Sequence, residues 1–246
     1  YGEDPYLAGR MGISVVKGLQ GPDSTKYDKL HACAKHYAVH SGPEWNRHSF
    51  NVENIAPRDL WETYLPAFKD LVTKAGVKEV MCAYNRFEGE PCCGSTRLLQ
   101  QILRDEWGFK GIVLSDCWAI ADFYTEGHHN TELDAQHASV KAVHSGTDLE
   151  CGESYASLVD AVKQGLIEEE TLNNSLQRLM TARFELGEMD ENVSWKKIPY
   201  SVVDCKEHKD LALKMAEKSL VLLQNKNNIL PLNKNMKIAV IGPNAN

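Results

Sequence analysis

Asp116 ends the run Gly111-Ile-Val-Leu-Ser115. An apolar stretch that delivers a lone carboxylate to its end carries a burial cost that needs a reason. Two reasons are open on pattern alone. The carboxylate can be a nucleophile that attacks an electrophilic carbon, or it can cap a helix or pair with a cation. Other apolar runs end in polar groups as well. His31–Tyr37 supplies Lys35, His36 and Tyr37, and Lys78–Tyr84 supplies Met81 and Tyr84, with Asn85 and Arg86 beyond. Val143–Asp148 supplies Asp148, with Glu150 beyond, while Ser115 and Trp118 flank Asp116. Together these side chains offer donors and acceptors for sugar hydroxyls. The faces of Trp45, Trp118 and Tyr84 suit the apolar side of a pyranose ring.

Each group has a plainer reading. Lys35 and His36 are strand neighbours, so one of them faces away unless a bulge or strand end intervenes. Otherwise they are a surface lysine beside a packed histidine. Asp148, in Ser145-Gly-Thr-Asp148, reads as a cap for the next segment. No metal is expected, because the spacing of His128, His129, His137 and His144 fits no ligand signature. Gly242-Pro-Asn244 lacks the glycine patterns of nucleotide-binding loops. No cofactor is expected.

The candidate residues need strands to present them. These four runs read as strands, and helical spacing appears in Pro57–Gly76, Ser95–Trp107 and Glu132–His144. The last three strands recur about every 32 residues, the length of a strand, a helix and two loops. That period fits part of a (β/α) barrel, whose strand C-termini carry the active site. A smaller, open doubly wound sheet is the alternative. Further helices are expected at Tyr155–Gly165, Glu169–Leu186 and Cys205–Gln224, and a last strand at Lys237–Gly242. The expected organisation is α/β: residues 1–188 as the C-terminal part of a TIM-like (β/α)8 barrel, 189–203 as a linker, and 204–246 as the start of a second α/β domain, of sandwich type. Both ends read as cut, so the chain reads as an internal piece of a longer protein.

Bulk properties narrow the partners. The 246 residues are 43% hydrophobic and carry a formal net charge of −7. There is no clustered basic run for nucleic acid or an anionic membrane, and no apolar stretch near the ~20 residues needed for membrane insertion. A neutral substrate such as an oligosaccharide is compatible. Seven cysteines are present. Cys117 and Cys151 come just after consecutive strands, which in a barrel lie ~4.8 Å apart, so these two can pair. Cys82 can reach Cys92 or Cys93 across a short loop. Such bonds favour a periplasmic or secreted setting.

Taken in order, the motifs resemble glycoside hydrolase family 3. They run from Tyr1-Gly-Glu-Asp-Pro-Tyr-Leu-Ala-Gly9 through Ala34-Lys-His-Tyr37 and Val80-Met-Cys-Ala-Tyr-Asn-Arg86. They continue through Leu103-Arg-Asp-Glu-Trp-Gly-Phe-Lys-Gly111, Val113-Leu-Ser-Asp-Cys117 and Ser145-Gly-Thr-Asp-Leu-Glu150. The resemblance implies a retaining, exo-acting hydrolase of β-linked sugars with Asp116 as nucleophile. It places Lys35 and His36 on sugar hydroxyls, and Tyr84 and Met81 in the same pocket. Ser-Asp-Cys117 and the loop His40-Ser-Gly-Pro-Glu-Trp-Asn-Arg-His48 look more like the β-xylosidase branch, with release of xylose or arabinose from xylan oligosaccharides. That makes Glu44, Trp45 and Arg47 pocket-loop candidates, with plain surface packing as the other reading. A β-glucosidase of the same family and a non-catalytic sugar-binding protein are the alternatives. The acid/base carboxylate is expected beyond Asn246, and the oligomeric state is left open.

Overall fold

Cys33–Tyr37 (β1), Glu79–Cys82 (β2) and Ile112–Ser115 (β3) form a parallel sheet in the order β1-β2-β3. Val80 and Cys82 of β2 are buried on one face, and in β3 the neighbours Ile112 and Val113 are buried on both faces, as in parallel strands under helices. The register pairs Ala34 with Val80, and Cys82 with both Tyr37 and Ser115. All three strands therefore end at the same rim. Gly111 enters β3 where a Cβ would stand 2.0 Å from the Lys78 carbonyl oxygen. Only glycine permits that approach. In this computed structural model, which describes residues 1–22 and 24–245, the chain divides into two units, Tyr1–Trp195 and Lys196–Asn246.

Within the first unit, helices cover the sheet. Helix α1 (Pro5–Gln20) is capped by Asp4, whose Oδ1 accepts from the amides of Tyr6 (2.8 Å) and Leu7 (3.1 Å). It packs on α2 (Pro66–Ala75), with Gly12 against Leu71, where even a methyl group would clash at 2.8 Å. The segment Arg97–Glu106 is a π-helix that turns Leu98, Leu99, Ile102 and Leu103 into the core. Helices α3 (Ala135–Ser145), α4 (Leu158–Lys163) and α5 (Glu169–Glu185) come next. The core gathers Tyr37, Leu60, Leu65, Val80, Phe87 and Phe123, all essentially inaccessible. A small second sheet pairs Asn51–Val52 with Arg86–Phe87 and the latter with Glu90–Pro91. The parallel α/β architecture expected from the strand–helix alternation is present.

Two expected strands are not. Val143–Ser145 belongs to α3, which runs to the left-handed Gly146 (φ 109°). Beyond that glycine the described residues make a single bridge, Leu149 to Leu114, and no full strand. Asp148 does not cap the next segment. It lies buried at the edge of β3, where Oδ2 accepts from Arg104 Nη2 (2.7 Å) and the Val113 amide (3.0 Å), and Oδ1 from Arg178 Nη1 (2.7 Å). In the second unit, Lys237–Gly242 forms no strand; its residues are exposed, and no described segment pairs with it. A strand without a neighbour has no ladder to satisfy its backbone. The regular helix there is α6, Lys206–Ser219. No helix among the described residues is long and apolar enough to cross a membrane.

Two disulfides staple the first unit, Cys117–Cys151 and Cys82–Cys93. The Cys117 pairing was expected, and Cys93 rather than Cys92 takes Cys82. Cys92 stays a buried thiol directed at the Ala38 carbonyl. Because Cys117–Cys151 closes a separation of 34 residues, the double serine variant is expected to lose about 2–4 kcal/mol. A thermal melt under non-reducing conditions reads this. An unchanged midpoint would mean that the bond does not constrain the unfolded chain.

Candidate active site

Asp116 sits one residue past β3, at the rim where all three strands end. Its amide donates to the Cys82 carbonyl (3.3 Å) and so continues the ladder. On the far side the Cys117–Cys151 disulfide holds the chain, helped by Trp118 N–H to the Cys151 carbonyl (2.7 Å) and Cys151 N–H to Ser115 Oγ (3.0 Å). The carboxylate is thus fixed from both directions. Its side chain keeps 14% of its surface open.

Two donors set the plane of that carboxylate. The Cys117 amide donates to Oδ1 (2.8 Å), and His36 Nε2 lies 3.0 Å from Oδ2. Partial burial lowers the pKa of His36. Asp116 opposes that shift, while the charges of Lys35 and Arg47 add to it. His36 is therefore a neutral imidazole at pH 7, and it serves the carboxylate as an N–H donor. The β1–β2 register slips between Ala34 and Tyr37. With Ala34 and Tyr37 buried on either side, Lys35 is left exposed and His36 half-buried. The slip is the bulge-like irregularity that lets neighbouring strand residues share an open side.

Tyr84 closes the floor. Its hydroxyl donates to the Cys117 carbonyl (2.7 Å). Burial, reinforced by the Asp116 charge, pushes its pKa up to about 12, so it keeps its proton. Arg47 lies over the Tyr84 ring at 5.1 Å and pairs with Glu44 at 2.9 Å. Met81 is half-buried on β2. Trp118, 53% exposed with φ +66°, stands two residues past Asp116. Trp45, 84% exposed, makes no part of this cluster. The structure therefore brings Asp116, His36, Tyr84 and Arg47 together, with Lys35 acting on His36 by charge.

Sequence reading passed over several neighbours. His40 meets Asn85 through Nδ1···Oδ1 at 3.0 Å, and its ring lies 5.1 Å from that of His36. Asp122, buried, faces His48 Nδ1 (2.8 Å) with one oxygen and His128 Nδ1 (2.6 Å) with the other. These three groups have metal-ligand types within 4.8 Å of one another, as do Asp28, His31 and Glu185. In the second group Lys78 Nζ already supplies the cation, 3.3 Å from Asp28 and 3.0 Å from Glu185. The only hint in the sequence was the crowding of histidines in residues 36–48 and 128–129.

His129 carries a pH consequence. Nε2 donates to the Tyr84 carbonyl at 2.6 Å, while Nδ1 is buried without a partner. Burial lowers its pKa. The unfolded chain, with an ordinary value of ~6.5, then binds the proton more readily than the folded one. Stability is fully present above that pH and declines as pH falls through it. The midpoint loss between about pH 7.5 and 5.5 is expected to shrink in His129→Gln, which keeps the donor but cannot titrate. An equal loss in both proteins would contradict this.

The glycosyl hydrolase family 3 N-terminal domain matches residues 1–182. The chain is 60% identical over its whole length to a xylan 1,4-beta-xylosidase of Xylanibacter ruminicola, covering 29% of that protein. It is 35% identical to beta-D-xylosidase 1 of Arabidopsis thaliana, with 99% of the chain and 32% of that protein aligned. Among solved structures, a GH3 exo-beta-xylosidase in complex with a xylobiose aziridine activity-based probe superposes with a TM-score of 0.87 at 31% identity, over 96% of this chain and 31% of that one. A beta-glucosidase from Listeria innocua in complex with isofagomine gives 0.84 at 29% identity, over 94% and 33%. The chain thus spans about a third of the length of these relatives. Residues 1–182 match the family's N-terminal, barrel-type domain, and the chain belongs to glycosyl hydrolase family 3.

Proposed function

We propose that this chain supplies the nucleophile half of a retaining exo-β-xylosidase. The observation that carries the reading is the Asp116 carboxylate, fixed by the Cys117 amide and by neutral His36 at the common rim of the parallel strands. Retention needs two carboxylates. Asp116 attacks the anomeric carbon and forms a glycosyl-enzyme as the bond to the leaving oxygen breaks. A second carboxylic acid protonates that oxygen and then draws a proton from the water that releases the sugar. We assign this second group to sequence outside these 246 residues, since the relatives are about three times longer. Lys35 and Arg47 are the donors assigned to sugar hydroxyls, His36, with its N–H on Asp116, offers Nδ1 as an acceptor, and Trp118 is the aromatic wall.

The choice of xylose rests on the relatives' names, with arabinose as a second product sugar. The two disulfides support a periplasmic or secreted location. The test is a screen of the full-length enzyme on nitrophenyl xyloside, arabinofuranoside and glucoside. The highest kcat/KM is expected on the xyloside. A higher value on the glucoside would overturn the xylosidase assignment and leave the glycosidase one.

A further inference from the structure

Asp122 is a buried carboxylate that the proposed reaction does not use. It lies in the short helical turn Ala121–Phe123, six residues past Asp116, with its side chain 3% exposed. Each oxygen has one donor, His48 Nδ1 at 2.8 Å and His128 Nδ1 at 2.6 Å, and the two rings stack with centroids 5.4 Å apart. At the other edge of the His48 ring, Arg47 Nε donates to Nε2 at 3.2 Å. An arginine Nε carries a hydrogen and no acceptor. His48 Nε2 must therefore hold a lone pair, and the ring's proton must sit on Nδ1, facing Asp122. The His48 ring also stands edge-on to Tyr84 at 4.5 Å, with the Arg47 guanidinium on the same tyrosine at 5.1 Å.

We propose that Asp122 is a positioning residue for sugar binding: through the His48 tautomer it orients Arg47 over Tyr84, beside the reacting carboxylate. Asp122 fixes which nitrogen of His48 is protonated. That nitrogen pattern decides whether the ring can accept from Arg47. Glu44 holds the far side of the guanidinium by its Nη1 at 2.9 Å, so the planar fork is held at two points and has donors left for a ligand. The charge of Arg47 reaches His36 and Tyr84, both in contact with the Asp116 environment. A bound metal ion is the rival use of the same three side chains. Coordination through His48 Nδ1 would move the ring proton to Nε2, where it would oppose the Arg47 N–H. The Arg47 contact favours the hydrogen-bonded state.

The inference rests on Asp116 marking the sugar site. It is tested by a double-mutant cycle in the full-length enzyme, on the nitrophenyl glycoside it hydrolyses best. Asp122→Ala is expected to raise KM about tenfold, with a smaller change in kcat. In an Arg47→Ala background the same change should cost less than about twofold further. His48→Gln, whose carbonyl can accept from Arg47 unaided, should keep KM within about threefold of wild type, whereas His48→Leu should match Asp122→Ala. An Asp122→Ala effect of equal size in both backgrounds would show a role in stability alone and overturn the proposal. So would an unchanged KM in His48→Leu, which decides the matter if Asp122→Ala fails to fold. One equivalent of zinc bound by wild type and lost in His48→Leu would overturn the tautomer assignment in favour of the metal. If wild type hydrolyses no glycoside, the proposed activity fails separately, and the cycle is read from the Kd of xylose by calorimetry.

Discussion

Asp116→Ala in the full-length enzyme is expected to lower kcat by roughly 10⁴-fold or more, the scale seen when a covalent nucleophile is removed. Binding of sugar should survive, because His36, Tyr84 and Arg47 are held by other elements. The carboxylate's neighbours make a further consequence testable. Truncation leaves a gap at the rim, where a small anion such as azide can take the carboxylate's place. Azide would then attack the anomeric carbon once, and the departing group would leave with its bonding electrons. The product would be a glycosyl azide of inverted configuration, because the second displacement no longer occurs. Rescue by azide with retained configuration would place the nucleophile elsewhere. Activity of Asp116→Ala within about tenfold of wild type, without azide, would do so more simply.

Asp148→Asn is expected to be the most destabilising single change in the first unit, by about 3–5 kcal/mol. Arg104 is itself buried, and burial works against its charge while Asp148 supports it. Without the carboxylate, the guanidinium keeps its contacts with the Gly111 and Gly146 carbonyls. Its charge, however, is left without a counter-ion in a poorly solvated place. Arg178, on α5, loses its partner at the same time, and the Val113 amide exchanges a charged acceptor for a weaker one. One carboxylate therefore ties the start of β3, the π-helix and α5. For a unit of this size the loss corresponds to a midpoint lower by about 10 °C. Replacing Asp148 and Arg104 together by apolar residues should cost less than the single change, since a buried pair removed whole leaves no orphan. A double variant less stable than Asp148→Asn would contradict this.

What the sequence showed and what it hid divide along physical lines. The three parallel strands were legible because each is a short apolar run bounded by turn residues. Asp116 was legible as a carboxylate at the end of such a run. The Cys117–Cys151 bond was expected from two consecutive strands; only the first of them forms, and the single bridge of Leu149 to Leu114 is what brings Cys151 alongside. Val143–Asp148 misled because a short apolar run looks alike at the end of a helix and in a strand. Gly146 was the signal of a helix stop, and α3 absorbed the residues before it. Lys237–Gly242 has the composition of a strand, yet a ladder requires a partner that no composition can reveal. Asp148 was read locally as a cap, while its partners Arg104 and Arg178 lie 44 and 30 residues away. Asp122 was missed for the same reason, since His48 is 74 residues distant and the pairing exists only in the fold.

The central claim is that Asp116 forms the covalent bond to the sugar. The most direct measurement is peptide mass mapping of the full-length enzyme after reaction with a 2-deoxy-2-fluoro xyloside carrying a good leaving group. Such a sugar is expected to form the glycosyl-enzyme and release it slowly. One fluoroxylosyl unit per chain, located on Asp116, is the predicted result. A label on any other residue, or an enzyme that turns over xylosides yet takes up no label, would contradict it.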